Sequence, residues 1–219
     1  MRDVTLTFDN GPEPDVTPGV LDVLARADVP ASFFVLGKKI ADPECRKLAE
    51  RAAAEGHWIA NHTYSHDTPL GNLPGRGVPE AEIGRTQDLI GDLAHPDKLF
   101  RPFGGGGALG PHLLSRPVAD YLIAGRYTCV LWNVIPRDWA EPETWVETAL
   151  DQIAPLDHAL VVVHDLPTGA MAHLERFIER VRELGGTFRQ DFPENCMPLR
   201  RGRATGDFAA CITEAAGAA

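Results

Sequence analysis

Short apolar runs separated by helix-length amphipathic stretches recur along the whole chain, and this alternation constrains the fold more than any other feature. Val4 to Phe8 mixes β-branched and apolar residues and stops at the turn-forming Asp9-Asn10-Gly11-Pro12. A helix opening at Thr17-Pro18 follows, with Val20, Leu21, Val23 and Leu24 as its apolar stripe, and then a second apolar run, Ala31 to Leu36. Asp42-Pro43-Glu44 reads as an N-cap, a first-turn proline and an acidic first turn, so a helix is expected to about Glu55, ending at Gly56. Trp58 to Ala60 is a short third strand. After a Gly/Pro-rich loop over 68–79, the pattern predicts a helix over 80–93, a strand at Leu99-Phe100 and a helix over 113–123. It continues with a strand over 127–132, a helix over 142–153, a strand over 159–163, a helix over 169–184 and a strand over 187–189. Strand and helix in regular succession predict repeated βα units around a parallel sheet, open or closed into a barrel.

Length and charge narrow the field further. At 219 residues, 44% of them hydrophobic, one domain with a sizeable core is expected over 1–199, and the small, Ala/Gly-rich stretch 200–219 is expected to be a loosely ordered tail. The net charge of −10 gives no electrostatic footprint for nucleic acid or an anionic membrane. Cys45, Cys129, Cys196 and Cys211 lack C-x-x-C spacing and read as reduced structural thiols. Met1-Arg2-Asp3-Val4 carries neither a basic start nor an apolar leader segment, so a cytoplasmic location is expected, and the glycosylation sequon at Asn61-His62-Thr63 is a chance match.

In βα folds the chemistry gathers at the C-terminal ends of the strands. Here those ends carry Asp9-Asn10, His62 and His66, Arg101, Asp138-Trp139 and His164-Asp165. Two neutral imidazoles four residues apart can turn toward one ion. Taken singly, each group has a plainer reading. Asp9-Asn10-Gly11-Pro12 is also good turn chemistry, His164 also a core histidine, and Arg101 also an ion-pair partner. The glycine pattern over 105–110 fits G-x-G-x-x-G, but Pro111 follows it and the next strand ends in Trp132-Asn133. It is therefore expected to be a substrate-side loop and not a dinucleotide cradle.

Taken in order, these segments resemble the five motifs of the polysaccharide deacetylases, the NodB-homology family (carbohydrate esterase family 4). Thr7-Phe8-Asp9-Asn10-Gly11-Pro12 resembles the first motif and Asn61-His62-Thr63-Tyr64-Ser65-His66 the second. Phe100-Arg101-Pro102-Phe103-Gly104 resembles the third, Leu131-Trp132 through Asp138-Trp139 the fourth, and Leu160 to His164-Asp165 the fifth. The resemblance implies a distorted (β/α) barrel and metal-assisted removal of N-acetyl groups from an amino sugar or oligosaccharide. It implies a divalent metal, most simply zinc, on His62, His66 and Asn10, with Asp9 as general base, Arg101 as its partner, and His164 as general acid oriented by Asp138. Tyr64 and Trp139 would wall the sugar groove, and backbone around Phe103 and Gly104 would meet the oxyanion. Three positions depart from the family pattern. Asn10 stands where a metal-ligating aspartate is usual, as it also does in relatives resembling muramic-acid deacetylases. One residue fewer separates Arg101 from Phe103, and Ile135 replaces the first acid of the fourth motif. Two other functions follow from these departures: a sugar binder without turnover, or a hydrolase of another non-peptide C–N amide.

Overall fold

The structure is a computed structural model and describes residues 2–73 and 75–213. Its parallel strands are β1 (Asp3–Asp9), β2 (Ser32–Val35), β3 (Trp58–Asn61), β4 (Leu99–Phe100), β5 (Thr128–Cys129), β6 (His158–His164) and β7 (Thr187–Arg189). The helices are α1 (Thr17–Ala27), α2 (Gly37–Ile40), α3 (Pro43–Ala54), α4 (Arg85–Ile90), α5 (Arg116–Ala124), α6 (Trp145–Ile153) and α7 (Leu174–Glu183). Two further strands, β8 (Leu199–Arg200) and β9 (Arg203–Ala204), form an antiparallel hairpin on the edge of β5. The sheet runs β6-β1-β2-β3-β4-β5-β8-β9, so it is mixed, curled and open. This is the distorted barrel the resemblance implied. Between β5 and β6, among the described residues, a single-residue bridge joins Val134 to Val161, and the Asn133 side chain bonds the His158 carbonyl and the Leu160 amide.

Strand β1 is the axis of the fold. It pairs with β6 along its whole length, while its other edge is shared: β7 takes Asp3 to Thr5 and β2 takes Thr7 to Asp9. Its alternation sends Val4, Leu6 and Phe8 outward into a core built with α1, α6 and α7. Thr5, Thr7 and Asp9 occupy the alternate positions and are also buried. A second apolar cluster with Phe34, Phe100, Leu160, Val162 and Trp132 lies on the barrel side. No helix among the described residues is long and apolar enough to cross a membrane. The four cysteines are free and buried.

Local chemistry accounts for most boundaries. Asp42 caps α3 by accepting from the amides of Glu44 and Cys45. The helix expected over 80–93 forms with three pitches: a π-helical turn at Glu80–Gly84, α4, and a 3₁₀ turn at Gly91–Leu93. The strand expected over 127–132 is cut to Thr128–Cys129, because the backbone beyond it turns toward other partners. The Leu131 amide donates to the Cys196 carbonyl at 2.7 Å, and the carbonyls of Val130 and Leu131 accept from a buried arginine. The helix expected from Leu113 starts at Arg116, since Leu114 is extended and bridges Ile212.

The stretch from Arg200, expected to be loosely ordered, instead folds back as far as Thr213, while residues 214–219 lie outside the described part. Leu199 pairs with Cys129, Phe208 and Cys211 are buried, and the Thr213 amide donates to Leu114 at 2.8 Å. Small polar composition hid two apolar anchors. Phe208→Ala should therefore destabilise the protein by about 3 kcal/mol in urea unfolding, the usual cost of emptying a buried phenylalanine site; a change below about 0.5 kcal/mol, normal for a surface position, would contradict this packing.

Candidate active site

Strand register brings the distant segments together. Asp9, the last residue of β1, lies opposite His164 on β6 and Phe34 on β2. His62 follows β3 and its amide donates to the Val35 carbonyl at 3.0 Å; Arg101 follows β4 and its amide donates to Asn61 at 2.9 Å. The first side chains past adjacent parallel strands thus converge on one end of the sheet.

Arg101 is fully buried. Its guanidinium donates to the Asp9 carboxylate at 2.6 Å, to the Thr7 hydroxyl at 2.8 Å, and to the carbonyls of Val130 and Leu131 at 3.2 and 3.3 Å. Its planar face lies 3.9 Å from the centre of the Phe34 ring. Burial by itself would raise the Asp9 pKa. The positive charge of Arg101, helped by His62 and His164, outweighs it and holds the carboxyl below its ordinary 3.8.

The histidine loop is held from the side. Asn61 accepts from the Thr63 amide and donates to the Ile83 carbonyl. Glu82, in the π-helical turn, accepts from the amides of Tyr64 and Ser65 at 3.0 and 2.9 Å. Thr63 and His66 adopt left-handed backbone angles, as does Asn10 (φ 70°, 56° and 73°), a costly geometry for such residues that the surrounding bonds impose. His62 Nδ1 lies 2.8 Å from the Arg101 carbonyl, which can only accept, so Nδ1 carries the proton and Nε2 offers a lone pair. That Nε2 is 3.5 Å from Asp9. The His66 ring lies 4.9 Å from that of His62 and 3.9 Å from Phe103. Burial, then the neighbouring His62, pushes the His66 pKa down to about 3, and burial lowers that of His62, so both rings are neutral near pH 7.

A metal needs deprotonated donors with free lone pairs. His62, His66 and the buried Asn10 Oδ1, which has no hydrogen-bond partner in the protein, fit that need. Among the described residues no three His, Cys, Asp or Glu side chains gather into a metal-holding group, and in this donor set the third member is an amide.

Across the cavity His164 Nδ1 lies 2.9 Å from Asp138 Oδ1, while the other carboxylate oxygen accepts from the His164 amide at 2.8 Å. Burial opposes the charged ring, but the Asp138 hydrogen bond and charge outweigh it and raise the pKa above 6.5. Trp139 stands edge-on to this imidazole, with ring centres 4.9 Å apart.

These groups line one cavity of about 360 Å³. Asp9, Asn10, His62, His66 and His164 form its polar part, and Phe103, Trp132, Ile135, Trp139 and Leu166 its apolar part. Gly104 to Gly107 also line it. A side chain on Gly104 would strike Trp132 at 2.6 Å and one on Gly107 would strike Ile135 at 2.9 Å, while the Trp132 indole donates to the Gly107 carbonyl at 2.8 Å. The glycines are thus needed by a loop laid flat on the cavity wall.

Tyr64 requires correction. It is not among the residues lining the cavity; its ring lies under the Arg85 guanidinium, 3.6 Å from the centroid, because the loop that turns His62 and His66 inward sends Tyr64 to the α4 side. Sequence reasoning also missed Trp132, Ile135 and Leu166 as wall residues, Thr7 as a second acceptor on Arg101, and Glu82 as the brace of the histidine loop. Ile135 carried a signal, an apolar residue where the resemblance expects an acid. Glu82 carried none, since its role depends on the pitch of its helix.

Comparison with known proteins agrees with this geometry. The polysaccharide deacetylase family model matches residues 1–108. A chitooligosaccharide deacetylase of Rhizobium leguminosarum bv. trifolii is 38% identical over 167 residues, covering 75% of this chain and 72% of its own length. A second, from R. leguminosarum bv. phaseoli, is 36% identical over 167 residues, covering 73% of this chain and 66% of its own. A family 4 carbohydrate esterase from Streptomyces lividans, solved with acetate, superposes with a TM-score of 0.70 at 27% identity, covering 90% of this chain and 96% of that one. Relatives of this identity and extent, matching a chain whose five strand-end motifs meet in one cavity, make it a member of the polysaccharide deacetylase family, carbohydrate esterase family 4.

Proposed function

We propose that residues 1–199 form one catalytic domain that hydrolyses the N-acetyl group of an acetylated amino sugar or short oligosaccharide, with a divalent metal, zinc for preference, held by His62, His66 and Asn10. The observation that carries this reading is a carboxylate and an imidazole on one cavity whose environments push them in opposite directions. Asp9 is kept ionised by Arg101, and Asp138 raises the pKa of His164 and so favours its protonated form. An amide hydrolysis needs both: a base to take a proton from water as its oxygen joins the carbonyl carbon, and an acid to protonate the amine as the C–N bond breaks. Asp9 takes the first role and His164 the second. Arg101 keeps the base ionised, and Asp138 fixes the ring so that Nε2 carries the transferable proton. A bound metal would polarise the carbonyl and acidify the attacking water. Trp139 and the wall of Phe103 and Trp132 offer faces on which a sugar ring can stack, and the backbone at Phe103 and Gly104 faces the same cavity.

Acetate release from N-acetylated chitooligosaccharides, measured after zinc loading and after chelation, tests the reading. Asn10 favours one competing reading. A neutral amide in place of a carboxylate removes a negative charge from the ion's donor set and lowers cation affinity. If that loss is decisive, the protein will bind the sugar and release no acetate at any zinc concentration. Release from a different C–N amide in preference to acetylated sugars would move the reading to another substrate class.

Two outcomes are expected of variants. Asp9→Asn should lower kcat by about 10³-fold, the scale of a lost general base, while zinc content stays at the wild-type level; unchanged kcat would remove Asp9 from the mechanism. The second concerns pH. Because His164 has a raised pKa and acts in its protonated form, activity should persist above pH 6.5 and fall as pH rises through that raised value. Asp138→Asn removes the charge and weakens the hydrogen bond that are the two largest raising influences, so the alkaline limb of the kcat profile should move to lower pH. A limb that stays in place would show that another group sets it.

A further inference from the structure

Asp165 follows His164 directly and is fully buried, yet it does not line the cavity. Its carboxylate lies on the α1 side of β6. One oxygen accepts from the hydroxyl of Thr17, the first residue of α1, and that hydroxyl in turn accepts from the Glu13 amide at 2.7 Å. The carboxylate also presses on Gly11: a Cβ placed there would come within 2.2 and 2.3 Å of its two oxygens. Gly11 must therefore be bare because of Asp165. The Gly11 carbonyl accepts from the Leu36 amide at 3.1 Å, and the Pro12 carbonyl is the acceptor for the Cys45 thiol at 3.5 Å. The turn that carries Asp9 and Asn10 is thus wedged between α1, the segment after β2, and a carboxylate adjoining the general acid.

We propose, building on the deacetylase reading, that Asp165 is a positioning residue which, through Thr17 and Gly11, sets the Asp9-Asn10 turn against His164. The geometry ties together the two places where proton transfer is needed. Asp9 is two residues from Gly11, and His164 is adjacent to Asp165 in sequence. Misplacement of a reacting group by about 1 Å costs on the order of 10²-fold in rate, so a contact that fixes both ends at once has kinetic weight without touching substrate. Burial pushes the Asp165 carboxyl up to about 7, so a neutral amide is a fair substitute for it. Its second oxygen, Oδ1, is buried without a partner among the described residues, so the Thr17 hydroxyl is the side-chain donor that holds the carboxylate.

The test uses the full chain and four variants: Asp165→Ala, Asp165→Asn, Thr17→Val and Thr17→Ser. Steady-state kinetics are read beside amide hydrogen exchange at Leu36, whose amide donates to the Gly11 carbonyl and makes no hydrogen bond to Asp165 or Thr17. Asp165→Ala and Thr17→Val should lower kcat by about ten-fold with KM within about two-fold, the pattern of lost transition-state placement. Both should speed exchange at Leu36 while the β2 amides keep wild-type rates. Asn and Ser, which keep the polar contact, should restore kcat and exchange. Wild-type kcat and exchange in Thr17→Val would overturn the proposal; so would equal damage in Thr17→Ser, or acceleration spread over the whole chain. Should Asp165→Ala fail to fold, the threonine pair decides alone. If the wild-type protein releases no acetate, the deacetylase reading fails separately. Exchange at Leu36 then settles the positioning contact: local acceleration supports it and its absence overturns it.

Discussion

A fully buried ion pair, Arg101 with Asp9, is the interaction on which the rest of the site depends. Removing two charges from water costs several kcal/mol each, and attraction recovers that only where the geometry is good and the remaining donors are satisfied. Here they are: the guanidinium uses Asp9, Thr7 and the carbonyls of Val130 and Leu131 and rests on Phe34. Leaving one partner of such a pair unpaired typically costs about 3–5 kcal/mol, so the pair behaves as a single structural unit. It also dictates local fold. The carbonyls of Val130 and Leu131 point at Arg101, which ends the β5 ladder early and leaves the barrel joined between β5 and β6 by the Val134 bridge and the Asn133 side chain.

The pair sets the electrostatics of everything around it. With Asp9 engaged by a permanent cation, the neighbouring histidines have little reason to charge, and burial keeps His62 and His66 neutral. Farther across the cavity, His164 has a carboxylate of its own, which shifts its pKa in the opposite direction. One buried arginine and one buried aspartate thereby separate a basic half of the cavity from an acidic half. On the proposed reading, the donor set offered to a metal is neutral throughout once Asn10 is included. Metal occupancy in this chain then depends on the two imidazoles more than in relatives with an aspartate at that position.

Much of this was legible in the sequence, for identifiable reasons. The βα alternation could be read because the outward faces of β1 and β6 are strictly apolar, and the site could be read because polar residues stand at or just past the ends of β1, β3, β4 and β6. Asp9, Asn10, His62, His66 and His164 line one cavity, with Arg101 bonded to Asp9 and Asp138 to His164. What could not be read depends on pitch or on long-range contact. Tyr64 was expected to wall the sugar groove on the family resemblance, yet a left-handed residue on either side of the Tyr64-Ser65 pair turns it toward Arg85. Glu82 braces the histidine loop only because its helix begins as a π turn. The C-terminal stretch looked loose by composition, and two residues, Phe208 and Cys211, anchor it in the second core. Gly11 looked like ordinary turn chemistry, and its true constraint, the Asp165 carboxylate, lies far along the chain.

The central claim is that Arg101 overcomes burial and keeps Asp9 ionised. A ¹³C NMR titration of the Asp9 carboxyl in metal-free protein measures this directly. The account predicts that the carboxyl stays ionised on lowering the pH to its ordinary 3.8 and protonates only below it. Protonation above that value, in protein that is still folded, would show that burial wins over the ion pair and would contradict the account.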